Sequence, residues 1–327
     1  MGTATRKRSA RQAKTGPAAA KWKYLTAHFW ASMAWSVVRG ALIIGLCYII
    51  LYPIIVKFVS SIMSEADLFD YTVKWIPRRL DWKSVTRNYA DVYHAMKYPI
   101  ALFNSLSLAL IVSVLQLAAC TVVGYGFARH SYFGSNVAFA LVILTLLVPP
   151  QMIMIPLFLN FRFFDVFGLL KTPLNLLGTF WPFILTSITG MGLKNGLYIY
   201  IMRQVFKGMP NSLEEAALVD GAGPVRTLFR IMMPNAGSAM LVVFLFSFVW
   251  QYNDLYLTEM YMRTSSTMLP FMLRNLATAF DSFDYTKEYM SIITNTGMIM
   301  FIMPILIIYG FLQRYFIESV ERTGIVG

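Results

Sequence analysis

Long apolar runs, set apart by shorter polar and charged stretches, dominate this chain. A helix needs roughly 20 mostly apolar residues to cross a hydrocarbon layer about 30 Å thick, because each residue rises about 1.5 Å. Six segments read as such crossings. Span one covers about 40–63 and carries Pro53; span two covers about 101–127; span three starts near Asn136. Pro149, Pro150 and Pro156 should break or kink span three near its outer end. Span four begins near Pro173, span five covers about 236–257 and span six about 290–312. The pattern predicts an all-α, polytopic membrane protein with six transmembrane helices, its membrane domain occupying 40–320. A polar, charge-mixed loop over 64–98 is expected outside, and a second polar loop over 209–234 in the cytoplasm. The basic N-terminal tail, 1–39, and the C-terminal end, 321–327, are then both cytoplasmic.

Span four is unusual, since the chain stays largely apolar from Pro173 to Lys207, far longer than a straight crossing requires. The break reads Gly190-Met191-Gly192-Leu193-Lys194-Asn195-Gly196. A helix of about 12 residues after it would place Lys194 roughly 15 to 20 Å above the inner face, which is membrane depth. Broken backbone and ionisable groups survive there inside a bundle or beside water, which points to a transport pathway. A glycine packing kink with Lys194 snorkelling outward is the alternative.

Composition agrees: 57% of the 327 residues are hydrophobic and 13% charged, about half the charge of an ordinary soluble domain. The net charge of +12 comes mostly from Arg6, Lys7, Arg8, Arg11, Lys14, Lys21, Lys23 and Arg39, a stretch without a single acid. Beside a first spanning helix this is a topology anchor and lipid contact, so no nucleic acid is expected. Positive charge is not confined to the inside, because the external loop holds Lys74, Arg78, Arg79, Lys83, Arg87 and Lys97. Removal of a signal peptide is not expected, since no small-residue cleavage site follows the 41–56 run. Cys47 and Cys120 lie in apolar stretches and read as two buried thiols; with scattered histidines, no metal site is expected. No phosphate-binding glycine loop occurs, so energy must come from another chain and no cofactor is expected in this one.

The loop at 209–234 reads as a helix, an elbow and a second helix. Ser212 with Glu215 three residues on predicts a capping box. Gly221 and Gly223 end the first helix, Pro224 suits the first position of the next, and Pro234 closes it. Leu213, Ala216, Ala217 and Asp220 share one face, low enough for another protein to approach closely. Glu214, Glu215 and Asp220 carry the wrong sign for an anionic inner leaflet, which favours docking on a protein over resting on the bilayer.

Glu215-Ala216-Ala217, then Gly221, then Ile231-Met232-Met233-Pro234, with Asp220-Gly221-Ala222 between, resembles the E-A-A loop of binding-protein-dependent permeases of ATP-binding-cassette importers. Met233 stands where leucine is usual. The likeness extends over most of the chain and is nearest the maltose-transporter-type carbohydrate-uptake permeases. Asn104-Ser105, Gly124-Tyr125-Gly126-Phe127-Ala128-Arg129, Ile155-Pro156-Leu157-Phe158, Met202-Arg203-Gln204, Trp250-Gln251-Tyr252-Asn253-Asp254 and Gln313-Arg314-Tyr315-Phe316 support it.

The resemblance implies a non-enzymatic permease in a bacterial inner membrane that pairs with a second, homologous permease subunit. Two cytoplasmic ATPase subunits would bind ATP and magnesium, and an external solute-binding protein would deliver a sugar or oligosaccharide. By the same likeness, Ser212, Glu214, Glu215, Ala216, Ala217, Asp220, Gly221, Ala222, Ile231 and Pro234 would couple to the ATPase. Sugars are held by aromatic faces and by amide or carboxylate hydrogen bonds. The pathway candidates are Gln151, Trp181, Lys194, Asn195, Trp250, Tyr252, Asn253 and Asn295. A peptide, polyamine or phosphoester cargo is the alternative within transport. An intramembrane enzyme would need facing carboxylates, a Ser/His pair or a metal cluster, none of which the sequence offers. A self-powered transporter would show inverted repeats, which are not evident.

Overall fold

The computed structural model describes residues 27–64, 66–67, 70, 77–78, 80–166, 168, 171–192, 194–262, 267–280 and 287–324. Most of the basic tail, Lys74, Arg79, Leu193 and residues 325–327 lie outside the described residues, as do the side chains of Tyr315, Phe316 and the rest of the C-terminal end. The chain divides into two units, Met1–Val59 and Ser60–Gly327.

The first unit holds most of helix α1, Ala27–Ile62, with Pro53 inside it. It starts before Gly40 because, apart from His28 and Arg39, residues 27–39 are apolar or small and no helix breaker interrupts them. Cys47 is exposed on α1, so of the two thiols only Cys120 is buried.

Helices make up nearly all of the described part of the second unit. They are α2 (Trp82–Ala95), α3 (Tyr98–Arg129), α4 (Ser135–Leu147), α5 (Pro150–Arg162), α6 (Trp181–Ile188), α7 (Asn195–Gly208) and α8 (Ser212–Val219). After the elbow come α9 (Pro224–Asn235), α10 (Gly237–Asn253), α11 (Tyr256–Met262), α12 (Leu269–Arg274), α13 (Leu276–Phe280) and α14 (Lys287–Gly324).

Among the described residues, three helices are long and apolar enough to cross a membrane, or up to five if each of two bent pairs counts as one span. The first bent pair is the break that the prolines of span three indicate: α4 and α5 meet at 102°, with Pro149 at an extended ψ of 132° between them. Span four does not begin as helix at Pro173. Phe164 and Leu174 form an isolated bridge there, and the helix starts at Trp181 with Pro182 in its first turn. The break foreseen from the glycines lies between α6 and α7, where Gly190 and Lys194 take φ of 73° and 63°.

Helix α3 is the axis of the packing. At its lower end Gly124 lets it approach α7 so closely that a Cβ there would meet Met202 Cβ at 2.7 Å and the Arg203 amide nitrogen at 3.0 Å. Around that crossing Cys120, Tyr125, Tyr198, Met202, Phe206, Met232 and Val243 form one core. At the opposite end Met96, Ala101, Tyr252, Leu276 and Ile293 form a second, joining α2, α3, α10, α13 and α14. Helix α2 is amphipathic and buries Val85, Asn88 and Val92, with Asp81 capping it by accepting from the Lys83 amide at 3.1 Å. The surplus of cations in this loop is partly offset by the pairs Arg78–Asp70 at 2.6 Å and Arg87–Asp91 at 3.7 Å.

Candidate functional site

The elbow forms as the glycines and prolines dictate, but its start is built differently from the capping box. Helix α8 includes Ser212 as its first residue, and its N-cap, Asn211, makes no side-chain cap bond. The Glu214 and Glu215 amides donate to the Asn211 carbonyl at 3.0 Å each, and the Leu213 amide to the Pro210 carbonyl at 3.3 Å. Asn211 is itself helical, at φ −65° and ψ −26°, and its side-chain oxygen accepts from Arg129 Nη1, at the foot of α3. Arg129 Nη2 donates to the Met209 carbonyl at 2.7 Å, and its Nε lies 3.6 Å from Glu214 Oε2.

The other end of α8 is a Schellman turn. The Ala222 amide donates to the Ala217 carbonyl at 2.8 Å and the Gly221 amide to the Leu218 carbonyl at 3.0 Å, with Gly221 at φ 75°. Gly223 is extended, Pro224 opens α9, and Leu228–Met232 widens into a π turn. Pro234 lies in the last turn, where Asn235 Nδ2 donates to the Ile231 carbonyl at 2.7 Å. Helix α9 then meets α10 at 81°.

The face foreseen for docking is divided. Ala217 is 2% exposed and packs inward with Ala222, whereas Ser212, Glu215, Ala216, Asp220 and Gly221 are exposed. Leu213, Glu214 and Ile231 are half-buried. The Arg129–Glu214 pair and the burial of Ala217 turn this side of α8 toward the protein. What α8 and the elbow present instead is Leu218, 64% exposed, and Val219, 88% exposed, with Val225 and Phe229 also exposed. Sequence reading missed Leu218 and Val219, although apolar side chains amid acids in a polar loop were the available signal.

A cavity of about 470 Å³ lies between α3, α4, α5, α6, α7 and α10, a size usual for small-solute sites. Its polar lining includes Gln116, Ser187, Lys194, Asn195 and Gln251. Asn195 is buried with neither amide atom hydrogen-bonded, and Gln251 is buried with a free Nε2. Ser247 Oγ lies 2.6 Å from Gln116 Oε1, in donor range. Lys194 opens α7, and its Nζ stands 5.4 Å from the centre of the Trp250 ring.

Of the pathway candidates, Lys194 and Asn195 line this cavity and Trp250 adjoins it through Lys194. The others lie elsewhere. Tyr252 is buried in the core, its hydroxyl donating to the Phe301 carbonyl at 2.9 Å, so a backbone group of α14 holds it away from the cavity. Asn253 bonds back to the Val249 carbonyl at 2.8 Å on an exposed face. Asn295 reaches Ser291 Oγ at 3.4 Å on α14. Gln151 is exposed and turned off the lining, and Trp181 starts α6 at 53% exposure. Gln116 and Gln251 were missed, although an amide within an apolar span is itself a signal.

Comparison with known proteins accords with this geometry. The chain is 29% identical over 283 residues, covering 85% of it and 88% of the relative, to an osmoprotective compounds uptake permease protein of Synechocystis. It is 28% identical over 225 residues, 68% of it and 73% of the relative, to an arabinooligosaccharides transport system permease protein of Halalkalibacterium halodurans. It is 23% identical over 286 residues, 86% of it and 93% of the relative, to a maltodextrin transport system permease protein of Bacillus subtilis. Its fold matches a chain from the crystal structure of a bacterial ABC transporter involved in the import of the acidic polysaccharide alginate. The TM-score there is 0.68 at 22% identity, covering 88% of this chain and 98% of that one. Residues 120–322 match the family described as binding-protein-dependent transport system inner membrane component. The chain belongs to that family, as an ABC importer permease.

Proposed function

We propose that this permease imports a sugar or oligosaccharide and is driven by ATPase subunits that seat the α8 elbow. The observation that carries the reading is the elbow's surface: Leu218 and Val219 stand exposed between Glu215 and Asp220. Apolar side chains rimmed by carboxylates on a helix that carries no cation suit a groove on a protein better than an anionic leaflet. Ala217 and Ala222, buried beneath, fix how that surface is held.

Six crossings, with span four made of α6 and α7, would put both chain ends and the elbow in the cytoplasm and α2 outside. Residues 40–320 would then be the membrane domain and 209–234 the coupling loop. A second permease would complete the pathway, and an external binding protein would supply the cargo. The solute would pass the cavity lined by Gln116, Lys194, Asn195 and Gln251. Amides and one cation, with no acid among the described lining residues, suit hydroxyl oxygens better than a cationic polyamine. Relatives named for arabinooligosaccharides and maltodextrin support a carbohydrate, while one named for osmoprotective compounds sets the competing class.

The test is uptake of labelled arabino- and maltooligosaccharides, a compatible solute and a polyamine by cells with and without this permease. Loss of oligosaccharide uptake alone is the expected result. Uptake that changes only for the polyamine would overturn the carbohydrate assignment.

A further inference from the structure

The Arg129 guanidinium is buried at the foot of α3, with its side chain 7% exposed, and touches the elbow at three separate points. It donates to the Met209 carbonyl, where the chain leaves α7, and to the Asn211 side chain at the start of α8. It also faces the Glu214 carboxylate in the first turn of α8. Arg129 does not cap the helix, since a guanidinium only donates, but it pins the start of α8 from another element. Two of these contacts are hydrogen bonds from the two terminal nitrogens and the third is a 3.6 Å ion pair from Nε, so they are spread over three nitrogens where a lysine has one.

Helix α3 connects that anchor to the cavity. Gln116 lies on the same unbroken helix, roughly 20 Å along the axis from Arg129. Between them Gly124 lets α3 press on the backbone of α7, and α7 begins with Lys194 and Asn195 at the cavity. One rigid rod thus carries the elbow's anchor at one end and a cavity wall at the other.

We propose that Arg129 is a positioning residue that locks the coupling helix α8 to α3, so that movement of the elbow is delivered to the cavity wall at Gln116. This rests on the reading of the elbow as the ATPase contact. The lock works by geometry: with Asn211 and Glu214 held, α8 cannot tilt unless α3 tilts with it. Without Arg129 the elbow still docks but turns about Gly208–Asn211, and the cavity wall stays where it was.

The experiment uses the complete chain assembled with its partner permease and ATPases, in a Cys47→Ala background with buried Cys120 kept. Spin labels at Val114→Cys, on the exposed side of α3 level with Gln116, and at Ile153→Cys, on the α5 side of the cavity, report the distance between the two helices. The distance is measured nucleotide-free and after trapping with MgATP and vanadate. In the otherwise native chain the distance shifts on trapping. In Arg129→Ala and Arg129→Lys most of that shift is lost, while vanadate is still trapped.

Asn211→Ala and Glu214→Gln each reduce the shift partly, and they decide the matter if the Arg129 variants fail to assemble. A full native shift in assembled Arg129→Ala, or in both of the milder variants, would overturn the lock. A separate crosslink from Val219→Cys to the ATPase distinguishes the two readings. Its absence removes the coupling assignment, whereas its presence together with a native shift in Arg129→Ala removes only the lock.

Discussion

Replacing Gly221 tests whether the shape of the elbow, rather than its mere presence, transmits work. Gly221 has φ 75°, and a Cβ added there would meet nothing within 4 Å. Steric overlap therefore contributes nothing, and the whole cost is backbone strain. For an L-residue held in the left-handed region that strain is about 1–2 kcal/mol. It can be relieved by opening the Schellman bonds from Ala222 to Ala217 and from Gly221 to Leu218. A penalty of that size shifts a local equilibrium about 5- to 30-fold. Because Gly221 is exposed and outside the buried clusters, the bundle itself should keep its melting temperature and its amount in the membrane.

The assay is solute imported per ATP hydrolysed by the assembled transporter, for Gly221→Asn, Gly221→Ala and Gly221→Val. Asparagine tolerates the left-handed region best and a β-branched residue worst. The ratio should fall in that order, by about 5- to 30-fold for valine. Equal ratios for valine and wild type would refute the reasoning. So would an asparagine variant as damaged as the valine one, because strain would then not be the cause.

Other outcomes follow from the same contacts. Gly124→Val drives a side chain into the α7 backbone at Met202 and Arg203, so it should cost about 1–3 kcal/mol; a lowered melting temperature in detergent checks this. Tyr252→Phe removes one hydrogen bond to the Phe301 carbonyl and should cost about 1 kcal/mol while leaving uptake intact. Gln251→Leu should do the reverse, lowering uptake with little change in melting temperature, because its Nε2 has no hydrogen bond to lose. Asp81 accepts from the Ser84 hydroxyl and the Lys83 amide, which hold its carboxyl below the ordinary value. Its contribution to the start of α2 is therefore full above the ordinary carboxylate pKa and is lost as pH falls through the lowered one. Hydrogen exchange in the first turn of α2 should quicken only in that acid window, and not in Asp81→Asn.

What could be read from sequence was the chemistry that acts locally on the backbone. Gly221 admits the positive φ of the turn because it has no Cβ, Pro224 opens the next helix because its φ is fixed and it lacks an amide donor, and Pro149 bends α4 against α5 for the latter reason. Gly190 to Lys194 interrupts span four as its glycines indicated. Contacts between distant residues were not legible. The capping box failed because the helix starts one residue early, with Ser212 inside it and Asn211 already helical, its side chain held by Arg129 from far away in sequence. Ala216 and Ala217 look equivalent on a helical wheel, yet the Arg129–Glu214 pair and core packing bury one and expose the other. Tyr252 and Gln251 are neighbours, but one turns to the α14 backbone and the other to the cavity, a difference of helix face that apolar periodicity does not encode in so apolar a span.

The most direct measurement is a cysteine crosslink from the tip of the elbow in native membranes. With Cys47→Ala, Val219→Cys should form a short-range crosslink to a nucleotide-binding subunit, and its yield should change when MgATP and vanadate are added. A label at Val219 that reacts only with reagents applied from outside the cell, or that never links to such a subunit, would contradict the account.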